Sequence, residues 1–169
     1  MDEAIKTHAA AGKPLLGICL GMQLLMGGSE EFGRHEGLNL IPGTVIRLQS
    51  GEGAGRVRIP HIGWSALRRP EGAGADWTGT VVEAVPDGSL MYFVHSFMVV
   101  PESAEHVLAE TDYGPNTLCS VIRDGQVYGC QFHPERSGAT GLSIYRHFVQ
   151  LGTGGTDEFS RGQRVCQHR

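Results

Sequence analysis

The stretch "PLLGICLGMQLL", residues 14–25, carries an apolar run into Gly-Ile-Cys-Leu-Gly and straight on into a second apolar segment. Leu15 to Cys19 reads as a buried strand, and Leu20 to Met26 as a helix closed by Gly27 and Gly28. A strand handed directly to a helix is the building unit of an α/β domain. Cys19 stands at the joint, in a Gly-x-Cys-x-Gly turn with the mechanics of a hydrolase serine elbow. Glycines on both sides remove Cβ atoms that would clash while the central residue holds a strained backbone. The turn pushes the thiol into the open, and the unpaired N–H groups of the following helix predict a lowered thiol pKa. A small buried residue at a strand end explains the same cysteine equally well, so the motif alone leaves both readings open.

Outward from this stretch, Asp2 to Ala11 spaces Ala4, Ile5, His8 and Ala9 as a short helix that stops at Gly12 and Pro14. Strand-like segments follow at Thr44 to Leu48, Thr80 to Val85, Met91 to Val100, His106 to Thr111, Leu118 to Arg123 and Val127 to Phe132. Turn signals lie at 86–88 and 123–125. Thr140 to Leu151 aligns Leu142, Tyr145, Phe148 and Val149 on one helix face. GEGAG at 51–55 lacks the strand and helix of a phosphate loop and reads as a hairpin tip. The expected architecture is α/β: one mixed central sheet with helices on both sides, a β-rich second half, and the elbow at the carboxyl end of a central strand. The expected division is a domain over 1–151 and a disordered tail over 152–169, where the sequence turns polar and aperiodic.

Composition narrows the function. The chain has 169 residues, 40% hydrophobic and 19% charged, with a net charge of -4, which suits one soluble domain with a sizeable core. No long Lys or Arg run supplies a field for nucleic acid or anionic lipid. The N-terminus MDEAIKTHAAAGKP has neither a signal pattern nor a membrane-spanning length. A cytoplasmic protein with small-molecule or protein partners is expected. Cys19, Cys119, Cys130 and Cys166 lack paired spacing and are expected to stay thiols. Cys119, Cys130 and His133 are too irregular a set for a metal.

A nucleophile needs a base. Of the eight histidines, His8 and His147 lie on predicted helices, His35 in a loop, His106 near a strand start and His168 in the tail. His133, in "CQFHPER" (130–136), ends an apolar strand, precedes a proline, and has Glu135 two positions on. In an extended segment residues i and i+2 project to one side, so Glu135 can hold Nδ1–H and leave Nε2 for the thiol. A third group of that kind orients the base in nucleophile–base–acid triads. A surface turn is the plain alternative.

Together "PLLGICLGMQLL" and "GCQFHPERS" (129–137), in this order and at this separation, resemble the triad (class I) glutamine amidotransferases, whose domain is flavodoxin-like. "EGLNLIPGTVIRL" (36–48), "IPHIGWSAL" (59–67), "MYFVHSFMV" (91–99) and "GLSIYRHF" (141–148) are similar to the glutaminase subunits of imidazole glycerol phosphate synthases, which serve histidine biosynthesis. The resemblance covers roughly Asp2 to Leu151 and rests on several separate motifs.

The resemblance implies hydrolysis of L-glutamine without a cofactor, with the ammonia fed to another active site. Cys19 would attack the carboxamide, His133 would carry the proton, and Glu135 would orient His133. Gln23 and Glu31 match glutamine-binding positions, and His95 and Ser96 fall in the segment that holds the amino-acid end of the substrate. The backbone N–H of Leu20 would serve as an oxyanion donor. Trp64 would face a (β/α)8 cyclase subunit as partner. The family also carries strands and a Pro-Gly-rich oxyanion loop ahead of the helix that starts this chain. Their absence here suggests a start-site error or a genuinely shortened protein, with little or no glutaminase activity expected of the chain as given. Two other readings stay open: a non-catalytic homologue that binds the partner, and a glutaminase serving another synthase.

Overall fold

In the computed structural model, residues 1–70 and 76–153 are described. Helix α1 (Asp2–Ala10) leads into strand β1 (Leu15–Ile18) and a five-residue helix α2 (Leu20–Leu24). Then come β2 (Gly28–Ser29), β3 (His35–Glu36), β4 (Gly43–Arg47), β5 (His61–Ala66), β6 (Leu90–His95) and β7 (Phe97–Pro101). Strands β8 (Val107–Tyr113), β9 (Asn116–Asp124) and β10 (Val127–Cys130) precede the last helix, α3 (Gly138–Gly152). The strands form a mixed sheet in the order β1-β10-β9-β8, a second in the order β3-β2-β4-β7, and a β5-β6 ribbon.

Two apolar clusters hold the first sheet from its two faces. Residues of β1 alternate between them: Leu15, with Ala9 of α1, packs on the cluster that holds Met22 of α2 and the following Leu25 and Met26, whereas Leu16 and Ile18, with Phe148 and Leu151 of α3, pack on the cluster that holds Ile144. The predicted helices on both sides are therefore present. Period-two alternation sends successive side chains of an extended chain to opposite faces, and burial of each large apolar side chain contributes about 1.5–3 kcal/mol.

Four expectations need correction. The elbow strand is not central: among the described residues β1 ends its sheet, with β10 as its neighbour. Thr80 to Val85 is not a strand but a run of turns. Its apolar pattern arises because Val81, Val82 and Val85 point into the core. The Thr80 hydroxyl donates to the Trp77 carbonyl at 2.6 Å and accepts from the Val82 N–H at 3.3 Å, a side-chain alternative to strand pairing. The single strand expected from Met91 to Val100 divides at Ser96, β6 pairing with β5 and β7 with β4. Burial alternates straight through the break, so periodicity could not reveal it. Residues 51–55 are not a hairpin tip, because β4 and β5 lie in different sheets and Gly53–Gly55 forms a 3-10 turn on the path between them. Strand β5 is a further element that the sequence does not announce: His61 is buried, Gly63 and Ser65 are half-buried, and the residues between them are exposed. Most of the tail, from residue 154 and including Cys166 and His168, lies outside the described residues; Gly152 itself is the last residue of α3.

Candidate active site

Parallel pairing builds the site. Leu15 to Ile18 run beside Val127 to Cys130 in register, so β1 and β10 end at the same edge of the sheet. The Cys19 N–H donates to the Cys130 carbonyl at 2.7 Å and carries the pairing one residue further. The elbow therefore opens where the "FHPE" segment begins. Carboxyl ends of parallel strands are where open α/β sheets place their chemistry.

Cys19 adopts φ 50 and ψ -107, a left-handed conformation unusual for a residue with a Cβ. A Cβ on Gly17 would lie 2.6 Å from backbone atoms of Gly21, while one on Gly21 would meet open space. Only the first glycine of the motif is thus required sterically, because the helix backbone turns back over it. The thiol donates to the Val94 carbonyl at 3.9 Å, and the Gln131 amide nitrogen donates to the sulphur at 3.8 Å. Its pKa is raised, not lowered as the elbow motif predicts. Burial dominates, the Glu135 and Glu31 carboxylates add to it, and the Leu20 N–H and Gln131 amide oppose it. A five-residue helix has too few aligned peptides to reverse the cost of burying a thiolate. The resting group is a thiol, and a base must take its proton.

His133 supplies a candidate. Its Nδ1 lies 2.7 Å from Glu135 Oε1, and the second carboxylate oxygen, Oε2, accepts from the Tyr145 hydroxyl at 3.2 Å. The predicted pairing is present, though by a different geometry: His133 is extended, and residues Pro134–Arg136 form a 3-10 turn that brings the carboxylate back to the ring. Backbone bonds fix the turn. The His133 N–H donates to the Tyr92 carbonyl at 2.9 Å, and the Ser137 hydroxyl donates to the His133 carbonyl at 2.7 Å while accepting from the Tyr92 N–H at 3.0 Å. Gly141 lets α3 close on the turn, since a Cβ there would collide with the Pro134 carbonyl. Burial tends to raise the Glu135 pKa, but its own backbone N–H, His133 and Tyr145 outweigh it and hold the carboxyl below its ordinary value. Burial and the adjacent carboxylate push the Tyr145 phenol up to about 12, so it remains a donor.

The other expected residues divide. Leu20, Gln23 and Glu31 line one cavity of about 330 Å³ beside the elbow. Gln23 is buried, its amide nitrogen donating to the Phe97 carbonyl at 3.1 Å and to Gln131 Oε1 at 3.3 Å. Ser96 is partly exposed at the corner between β6 and β7, its carbonyl accepting from the Leu48 N–H. The His95 side chain is buried. It turns inward, Nδ1 2.8 Å from the Phe97 carbonyl and Nε2 3.2 Å from His61 Nδ1. Burial holds both rings near a pKa of about 4. His95 follows the buried positions of β6, and that parity carries it away from solvent. Trp64 is 54% exposed beside Ile62 and Leu90, which excludes a core role.

Sequence reasoning missed Gln131, Tyr145 and His61. Gln131 precedes the histidine in an apolar strand, and a polar amide there was a readable signal; Tyr145 and His61 look like ordinary core positions. Among the described residues there is no cluster of three or more His, Cys, Asp or Glu arranged to hold a metal ion, and no helix is long and apolar enough to cross a membrane.

Comparison with known proteins agrees with this geometry. Residues 1–151 match the family model "Glutamine amidotransferase class-I". The chain is 49% identical over 150 residues to "Imidazole glycerol phosphate synthase subunit HisH 1" of Legionella pneumophila (strain Paris), covering 88% of this chain and 70% of that protein. It is 43% identical over 153 residues to the HisH subunit of Syntrophotalea carbinolica, with the same coverage. A solved glutamine amidotransferase superposes with a TM-score of 0.55 at 21% identity, covering 90% of this chain and 68% of that one, a likeness of fold. The strand–elbow–helix at Cys19, the histidine–carboxylate pair at the adjoining strand end and these matches lead to one assignment: the chain belongs to the class-I glutamine amidotransferases, among their HisH subunits.

Proposed function

We propose that this chain is the glutaminase subunit of a cytoplasmic imidazole glycerol phosphate synthase, hydrolysing L-glutamine through Cys19, His133 and Glu135 and passing the ammonia to a (β/α)8 cyclase subunit. The observation that carries the reading is the carboxylate-held ring of His133, set by parallel pairing at the sheet edge where the Cys19 elbow opens.

The Glu135 carboxylate holds Nδ1–H, which leaves the Nε2 lone pair to take the thiol proton as sulphur attacks the carboxamide carbon. The Leu20 N–H donates to the oxyanion of the tetrahedral intermediate. Collapse breaks the C–N bond, His133 returns its proton to the departing ammonia, and a γ-glutamyl thioester remains on Cys19. Water, deprotonated by His133, then releases glutamate and the free thiol. A half-buried, protonated nucleophile fits this sequence, since the proton is transferred during attack and no charge is held on the resting sulphur. Glu31 and Gln23 bind glutamine from the neighbouring cavity, and Ser96, at the β6–β7 corner, holds the amino-acid end of the substrate. Trp64, Ile62 and Leu90 form the apolar face that meets the cyclase subunit.

A glutamine-shaped diazoketone tests the nucleophile. It is expected to alkylate Cys19 alone, with glutamine protecting, as read by peptide mass spectrometry. Labelling elsewhere or none at all would overturn the assignment. Affinity capture with the cyclase subunit, lost on Trp64→Asp, tests the partner face.

A further inference from the structure

His61 and His95 lie outside the proposed chemistry, yet their hydrogen bonds leave no freedom of tautomer. His95 Nδ1 faces the Phe97 carbonyl at 2.8 Å. A carbonyl can only accept, so this nitrogen carries the proton and Nε2 is bare. Nε2 lies 3.2 Å from His61 Nδ1, which must therefore donate. That leaves His61 Nε2 as an acceptor, 2.9 Å from the Ser65 hydroxyl, which donates to it. Burial favours the neutral rings that this chain requires.

The chain continues past Phe97. The second lone pair of its carbonyl accepts from the Gln23 amide nitrogen at 3.1 Å, and the other hydrogen of that nitrogen reaches Gln131 Oε1 at 3.3 Å. With its oxygen so engaged, Gln131 presents its own amide nitrogen to the Cys19 sulphur at 3.8 Å. An amide turned the other way would set an oxygen against the sulphur and disfavour thiolate. The ring of His61 is locked in place by stacking on Tyr113 at 3.8 Å and on Phe93 at 4.7 Å between centroids.

We propose that His61 is a positioning residue for the Cys19 thiol: the Ser65–His61–His95 chain fixes the Phe97 carbonyl and, through Gln23, holds the Gln131 amide with its N–H toward the sulphur. The proposal rests on Cys19 as nucleophile for its meaning, but its readout is the thiol's environment and needs no turnover.

The probe is iodoacetamide, whose iodide is displaced by the thiolate. Alkylation of Cys19 is followed against pH in the full chain. His61→Phe keeps the stacked ring and deletes both nitrogens. It is expected to slow Cys19 alkylation at neutral pH about threefold or more and to move the midpoint upward, while buried Cys119 and Cys130 stay unlabelled. His61→Asn, which restores a donor at the Nδ1 position, is expected to recover most of the rate. An unchanged rate and midpoint in His61→Phe, with Cys119 and Cys130 still silent, would overturn the proposal. Should His61→Phe open the core and expose those cysteines, ring nitrogen NMR of the unaltered protein decides: Nδ1–H on both His61 and His95 supports the chain, and Nε2–H on either ring refutes it. Failure of the diazoketone to label Cys19 would strike the nucleophile assignment instead and leave these readouts intact.

Discussion

Two histidines meet the same strand, β6, and have opposite chemical surroundings. His95 is the last residue of β6, turned inward onto His61, with a carbonyl and a second neutral ring as its partners. His133 hangs on β6 by its backbone, through the Tyr92 carbonyl, and keeps its ring at the sheet edge with a carboxylate on Nδ1. The difference is what a base needs. A carboxylate stabilises imidazolium and fixes the tautomer without consuming Nε2, whereas a buried ring with both nitrogens engaged by neutral groups can neither gain nor lose a proton cheaply. The same residue type thus serves chemistry at one end of a strand and architecture at the other.

The comparison breaks most sharply if the two histidines are removed in turn. His133→Ala is expected to lower glutamate release by the complex with the cyclase subunit on the order of 100-fold to 10,000-fold, the usual contribution of general acid–base catalysis. Its thermal midpoint should barely move, because the side chain is partly exposed. His95→Ala should do the reverse in stability, lowering the midpoint clearly by leaving His61 Nδ1 and the Phe97 carbonyl short of partners. Equal melting of the two variants would dissolve the distinction.

Glu135→Gln is the next largest effect. The amide keeps the shape but gives up a charged hydrogen bond worth about 1.5–3 kcal/mol, so activity should fall about 10-fold to 150-fold, less than in Cys19→Ala or His133→Ala. A full rate in Glu135→Gln would reduce the HPE turn to a structural element.

Much of this was legible in the residues. Cys19, His133 and Glu135 stand in short, local motifs: the elbow forces strand before helix, and the two-residue spacing keeps Glu135 within reach of His133, although a 3-10 turn and not an extended segment joins them. What stayed hidden depended on partners distant in sequence. The pKa of Cys19 turned on burial, which a Gly-x-Cys-x-Gly pattern cannot express. The fate of His95 turned on His61, 34 positions away. The break at Ser96 left no trace in the alternation of Met91 to Val100, and the valines of 80–85 were apolar for the core and not for a sheet.

Acidification sharpens the comparison through stability. His61 faces His95, Ser65 and the rings of Phe93 and Tyr113, and His95 faces His61 and the Phe97 carbonyl, with His133 acting on it through space. Both buried rings hold a folded pKa of about 4 against an ordinary 6.5. Between those values the unfolded chain binds more protons than the folded one, so unfolding free energy rises with pH across the window and is lost as pH falls through it. Urea midpoints are therefore expected to drop from pH 7 to pH 5, with a shallower drop in His61→Phe. A slope that His61→Phe leaves unaltered would assign the loss to other groups.

The smallest effect belongs to Tyr145. Its hydroxyl donates to Glu135 Oε2 at 3.2 Å from a partly exposed position on α3, and with its phenol pushed up to about 12 it stays protonated throughout the working range. Tyr145→Phe removes this one bond and leaves the ring. The carboxylate keeps His133 on its other oxygen and exchanges the lost donor for water, so the net cost is that of a solvent-accessible hydrogen bond, about 0.5–1 kcal/mol. If Tyr145 acts only by orienting Glu135, kcat should fall about twofold to fivefold with KM unchanged. A loss as large as that of Glu135→Gln would mean that Tyr145 touches the reacting atoms, and the contrast between an open, carboxylate-held histidine and a closed, neutral one would then need a third member.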